Sequence, residues 1–128
     1  TTAVEVLVDT SVWVDHFRRG NDSLADLLAR DAVLMHPFVL LELACGRRQR
    51  RACDFGYLRH LRMAHQASKP ELLDFIAREA LYDQGCGMVD VSLLAAACIT
   101  PRARLWTQDR RLAALATRLD VAWPGQNA

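Results

Sequence analysis

The sequence predicts an α/β domain built on a central parallel sheet of four to five short strands, with helices on both faces. Three observations carry that expectation. The chain opens with a short apolar run, Val4, Val6, Leu7 and Val8, which suits a strand buried on both faces better than strict alternation would. A strand-like stretch ending in acid and hydroxyl residues recurs at ARLWTQD, Ala103 to Asp109. Between the two, strand-like pieces alternate with segments of helical period, the pattern of parallel strands joined by helical crossovers.

Taken in order, the first strand ends at Asp9, and Thr10 and Ser11 supply two N-cap candidates for a helix through Val12, Trp13 and Phe17. Asn21 to Ser23 breaks that helix and caps a second, with Leu24, Leu27 and Leu28 at helical spacing. Ala32 to Met35 reads as the second strand. Pro37 fits the first position of a third helix, whose expected inward stripe is Phe38, Leu41 and Ala44 or Cys45, ending at Gly46. Glu42 lies in the middle of it, and an acid there is expensive to bury unless something cationic receives it.

GRRQRR, Gly46 to Arg51, places Arg47, Arg48, Arg50 and Arg51 just after this helix, either as a solvated connection or as a contact with phosphate or an acidic partner. Leu58, Leu61 and Met63 suggest a further helix, followed by an extended piece around Ala64 to Ala67. In SKPE, Ser68 is an N-cap and Glu71 completes a capping box, opening a helix expected to run to Gly85. Asp90 opens an apolar helix from Val91 to about Ile99, which Pro101 stops. A strand through Leu105 and Trp106, a helix from Arg110 to Leu119 and a last strand at Val121 to Trp123 complete the chain.

At 128 residues the chain has the length of one ordinary domain, and no stretch of disorder-like composition divides it, so one domain spanning residues 1–128 is expected. No apolar run approaches the roughly 20 residues of a spanning helix, and no signal-peptide pattern stands at the start, so a soluble, cytoplasmic protein without membrane contact is expected. Cys45, Cys53, Cys86 and Cys98 show neither CxxC spacing nor a matching His pair, which disfavours a zinc site or a disulfide framework and leaves buried free thiols. The net charge of +1 argues against a general polyanion binder. Of the sixteen basic residues only Lys69 is lysine, and arginine is the better fork for phosphate, although a codon bias explains the same fact.

Four acids then stand at comparable places. Asp9 and Asp109 lie just past strand ends, Asp90 opens a helix after a glycine turn, and Glu42 sits within an apolar helix. In a parallel sheet the strand-end acids share one edge, where ligands of open α/β sheets collect, and a helix starting there brings Asp90 to them. Taken alone, Asp90 also has a plain reading as a helix cap. Carboxylates a few ångströms apart repel, so such a cluster must hold protons, pair with a basic side chain or bind a cation. All-oxygen ligation with room for water is what Mg²⁺ or Mn²⁺ prefers, and such an ion activates water and neutralises charge at phosphate.

The motifs VLVDTSVWVDHF, LLELACG, GCGMVDVSLLAAA and LWTQDRRL, in that order and spacing, resemble the PIN-domain ribonucleases, most closely the VapC toxins of bacterial toxin-antitoxin pairs. The resemblance covers nearly the whole chain. It implies a helix-sandwiched parallel sheet and Mg²⁺- or Mn²⁺-dependent cleavage of RNA, with Asp9, Glu42 and Asp90 matching the metal-binding acids, Asp109 a more variable fourth, and Thr107 a hydroxyl beside the site. It further implies a VapB-like antitoxin able to push a basic side chain into the acidic pocket, a homodimer and a toxin-antitoxin hetero-oligomer. Ser11 and Asp26 are further candidates for the pocket, with plain readings as a cap and a solvated helix residue. An aspartyl phosphotransferase fits poorly, because it wants an acid where Ser11 stands; a receiver domain wants a strand-end lysine, and Lys69 is at a helix start. A catalytically silent PIN-fold regulatory or protein-binding module is the remaining alternative.

Overall fold

The computed structural model describes residues 3–46 and 54–127. Cys53 and the arginines of GRRQRR, Arg47, Arg48, Arg50 and Arg51, lie outside the described residues. The order is β1 (Glu5–Val8), α1 (Thr10–Arg19), α2 (Asp22–Ala29), β2 (Val33–Met35), α3 (Pro37–Cys45), α4 (Phe55–Leu58), β3 (Arg62–Met63), α5 (Lys69–Arg78), α6 (Met88–Ile99), β4 (Ala103–Trp106) and α7 (Arg110–Arg118), with a final 3₁₀ turn at Pro124–Asn127.

The sheet runs β3-β2-β1-β4 with every pairing parallel. Val6, Leu7 and Val8 are fully buried although successive side chains point to opposite faces, so helices cover both faces of β1, as its unbroken apolar run requires. Each such side chain contributes roughly 1.5–3 kcal/mol by leaving water. The last expected strand is reduced to one parallel bridge, Leu105 with Ala122. Helix α6 is a core helix, buried continuously from Val91 to Ala97 and packed on β4, α5 and α7.

Several local expectations are corrected. Thr10 and Ser11 do not cap α1: Asp9 takes the cap position without a capping side-chain bond, because both hydroxyls are engaged elsewhere. The buried residues of α3 are Val39 and Leu43, while Phe38 is half-buried and Leu41 is 58% exposed. A helix this apolar all round leaves no period from which to choose the inner face. His36 caps α3, its Nδ1 accepting the Phe38 N–H at 3.0 Å. Burial lowers the His36 pKa, and the neutral ring with its proton on Nε2 is the form that accepts.

The helix expected through Met63 is the single turn α4, and Met63 itself belongs to β3, which pairs with β2 in a strand of two residues, too short to leave a period. Helix α5 has its capping box at Ser68 and Glu71 but stops at Arg78, short of Gly85. Ala80 takes a left-handed φ of 51°, while the Leu81 N–H returns to Ile76 O and the Ala80 N–H to Ala77 O. This is a Schellman ending in which alanine holds the place where glycine would have signalled the stop. Helices α2 and α7 end the same way, with Asp31 and Asp120 in the left-handed position. The expected buried thiols are also corrected: Cys45 and Cys98 are exposed and Cys86 half-buried.

Candidate active site

The site begins at the strand-order reversal. From β1 the chain steps to β2 and β3 on one side, while β4 lies on the other, so a crevice opens beyond the carboxyl ends of β1 and β4. Val8 pairs with Trp106 and the Asp9 N–H donates to Trp106 O at 2.9 Å, which places Asp9 and Thr107 side by side.

Asp9 is buried, at 8% exposure. Its Oδ2 accepts from Ser11 Oγ at 2.9 Å and from Thr107 Oγ1 at 2.7 Å. Each hydroxyl also accepts a backbone N–H: Gln108 donates to Ser11 Oγ at 2.9 Å and Asp109 to Thr107 Oγ1 at 3.0 Å. With the two protons committed to Asp9, the 3.4 Å approach of Ser11 Oγ to Thr107 Oγ1 is a contact without a shared proton. The hydroxyls thus hold one oxygen of Asp9 in place.

Two helices supply the facing acids. Glu42 projects from α3 and is exposed, with Thr10 Oγ1 donating to its Oε1 at 2.6 Å. The expected cost of burying Glu42 therefore does not arise. Helix α6 begins at Met88, three residues before the expected Val91, with Gly87 as N-cap, so Asp90 stands inside its first turn. Asp90 is half-buried, and its carboxyl is held above the ordinary aspartate range by burial first and then by Asp9 and Asp109, with Glu42 adding to the effect and the Gly87 N–H opposing it.

Asp9, Glu42 and Asp90 line one cleft of about 720 Å³, together with Thr10, Val14, Phe38, Leu41 and Val89. Thr107 and Asp109 are not in that lining. Thr107 is buried against Asp9, and Asp109 caps α7 by accepting from Arg111 N at 2.9 Å and Leu112 N at 3.1 Å, while still bearing on Asp90. Asp26 is not brought to the site; it is exposed and ion-paired with Arg30 along α2. A separate hollow of about 680 Å³, lined by Phe38, Leu72, Ile76, Met88 and Val91 among others, contains no acid and offers no comparable chemistry. Sequence reasoning missed Thr10 as a partner of Glu42, and gave Gln108 and Asp15 no role; a hydroxyl pair directly after a strand-end acid was the available signal for the first.

Among the described residues, no three His, Cys, Asp or Glu side chains are grouped closely enough to hold one ion between them. The donor set nevertheless fits a hard divalent cation. It is all oxygen, the neighbouring acids add to burial in raising Asp90, and Mg²⁺ commonly needs only one or two direct carboxylates because it keeps several waters.

A parallel α/β domain with carboxylates gathered at its switch point defines the class of molecule. The chain belongs to the PIN-domain family, whose model matches residues 6–118. It is 38% identical over 117 residues to Ribonuclease VapC32 in two strains of Mycobacterium tuberculosis, a match covering 91% of this chain and 94% of that protein. Among solved structures it is similar in fold to PAE2754 from Pyrobaculum aerophilum, with a TM-score of 0.58 at 18% identity, over 91% of this chain and 90% of that one. No helix among the described residues is long and apolar enough to cross a membrane.

Proposed function

We propose that this protein is a metal-dependent endoribonuclease and the toxin of a toxin-antitoxin pair, acting as one domain over residues 1–128 in the cytoplasm. The observation that carries the reading is the convergence of Asp9, Glu42 and Asp90 on one cleft, in a chain so similar to a VapC ribonuclease. Asp9, Glu42 and Asp90 would hold Mg²⁺ or Mn²⁺, with Asp109 as the outer fourth acid. A bound ion supplies activation of water and neutralisation of charge at a phosphodiester. Ser11 and Thr107 fix the Asp9 carboxylate so that it need not reorganise when the charge arrives. Leu41, Val14 and Phe38 give the cleft apolar walls, which strengthen the interactions of charges inside it.

The same surplus of negative charge suits a VapB-like antitoxin that places a basic side chain in the cleft, within a hetero-oligomer built on a toxin homodimer. Recovery of a small co-encoded protein in one complex with this chain would support that partner. The central test is cleavage of a panel of RNAs with EDTA, Mg²⁺ or Mn²⁺, beside Asp9→Asn. Metal-dependent cuts by the wild type alone are expected. Absence of cleavage, or equal cleavage by the variant, would return the chain to the alternative of a catalytically silent, protein-binding PIN module.

A further inference from the structure

Gln108 sits between Thr107 and Asp109 in the turn from β4 to α7, is exposed, and is no part of the core. Its backbone N–H donates to Ser11 Oγ at 2.9 Å and its side-chain amide to Asp15 Oδ2 at 3.2 Å. Ser11 and Asp15 lie one helical turn apart on α1, hence on the same face. The turn is therefore pinned to α1 at two points.

The second point is itself held firmly. Asp15 also accepts from Arg19 Nε and from Asn21 Nδ2, the latter at 3.1 Å, and the Asn21 side-chain oxygen caps α2 through the Leu24 N–H. The Gln108 amide thus docks on a carboxylate that the α1–α2 corner has already oriented. What the turn carries explains why such a clip matters: Thr107 gives its proton to Asp9 Oδ2, and Asp109 stands near enough to bear on Asp90.

We infer that Gln108 is a positioning residue, whose side-chain bond to Asp15 sets Thr107 and Asp109 against Asp9 and so tunes the acid cleft for its cation. The inference rests on the metal-dependent nuclease reading. Gln108 touches neither the cleft nor the reacting atoms, and it acts through the turn that it fastens.

The test uses the full chain as wild type, Gln108→Ala, Asp15→Ala, the double variant and Asp15→Asn, with two readouts. One is the Mn²⁺ concentration giving half of the thermal shift; the other is kcat and KM for RNA cleavage. Removing an outer support of a metal site commonly costs roughly 10-fold in affinity or activity, so Gln108→Ala should raise the Mn²⁺ midpoint and lower kcat by about that factor, with KM little changed. The double variant should be no worse than Asp15→Ala alone, because that change already removes the acceptor of the Gln108 amide together with the bonds to Arg19 and Asn21. Asp15→Asn keeps an acceptor oxygen and should recover most of the loss, which separates the role from simple stability. A wild-type Mn²⁺ midpoint in Gln108→Ala, or losses that multiply in the double variant, would overturn the inference. If the wild type cleaves no RNA, the nuclease reading fails by itself, and the Mn²⁺ midpoints still decide the role of Gln108.

Discussion

Strand β1 carries an acid at each end, and the two are treated in opposite ways. Glu5, at its amino end, is met by Arg62 from β3 at 2.6 Å and by Arg102 ahead of β4 at 3.1 Å. Asp9, just past its carboxyl end, receives two hydroxyls, and further acids gather around it. No described ion pair reaches Asp9, Glu42, Asp90 or Asp109. The chain has arginines to spare and uses two of them on Glu5. Among the described residues the other edge has no such ion-pair partners, and Asp90 there is held above the ordinary aspartate range by burial first and then by Asp9 and Asp109.

The largest expected effect comes from Asp90→Asn, which breaks the uncompensated edge directly. Asn can still accept the Gly87 N–H and relieves repulsion, so the metal-free variant should be as stable as the wild type or more so. In Mg²⁺ at about 100 times its dissociation constant the wild type should gain roughly 2.7 kcal/mol, the variant clearly less. RNA cleavage should fall by about 100-fold or more. The pH dependence sharpens the same point. Because the folded-state pKa of Asp90 is raised, the folded protein keeps this proton after the unfolded chain has lost it, so stability falls as pH climbs from the ordinary aspartate value of 3.8 through the folded one. Melts across that window in EDTA should show a downward component in the wild type that Asp90→Asn lacks. Equal metal gains and equal pH slopes would place Asp90 among the purely structural acids.

Thr107→Val should come next. The variant keeps the shape but removes the buried donor to Asp9 Oδ2 and the acceptor for the Asp109 N–H, leaving both partners short of a bond. A loss of about 1–3 kcal/mol in stability is expected, with a higher Mg²⁺ midpoint. Retention of both wild-type values would show that Ser11 alone is enough to hold Asp9.

How much of this contrast could be read from the sequence depends on how each residue is recruited. The parallel sheet was legible because β1 is buried on both faces and its valines and leucine form an unbroken run. Asp9 was legible because it directly follows a strand, and Asp109 because it stands in the short turn after one. Glu42 was located but its setting was misjudged, since an almost uniformly apolar α3 hides which of its faces meets the core. The three Schellman endings passed unseen because Ala80, Asp31 and Asp120, not glycine, occupy the left-handed positions. Gln108, Asp15 and the arginines of Glu5 depend on pairings distant in sequence, and nothing local marks them.

The smallest expected effect is that of Glu5→Gln, and its direction matters more than its size. Arg62 and Arg102 are about half exposed and return readily to water, so loss of this partly screened network should cost only about 1 kcal/mol, less at high salt. The Mg²⁺ response should be unchanged, because Glu5 lies at the far end of β1 from the cleft. Neutralising an acid at one end of the strand should thus weaken the metal-free fold, while neutralising Asp90 at the other should leave it equal or stronger. Thermal melts of both variants in EDTA, at low and high salt, read the two signs side by side. A Glu5→Gln protein that gains stability, or that loses its metal shift, would mean that the two ends of the sheet do not differ in the way their partners indicate.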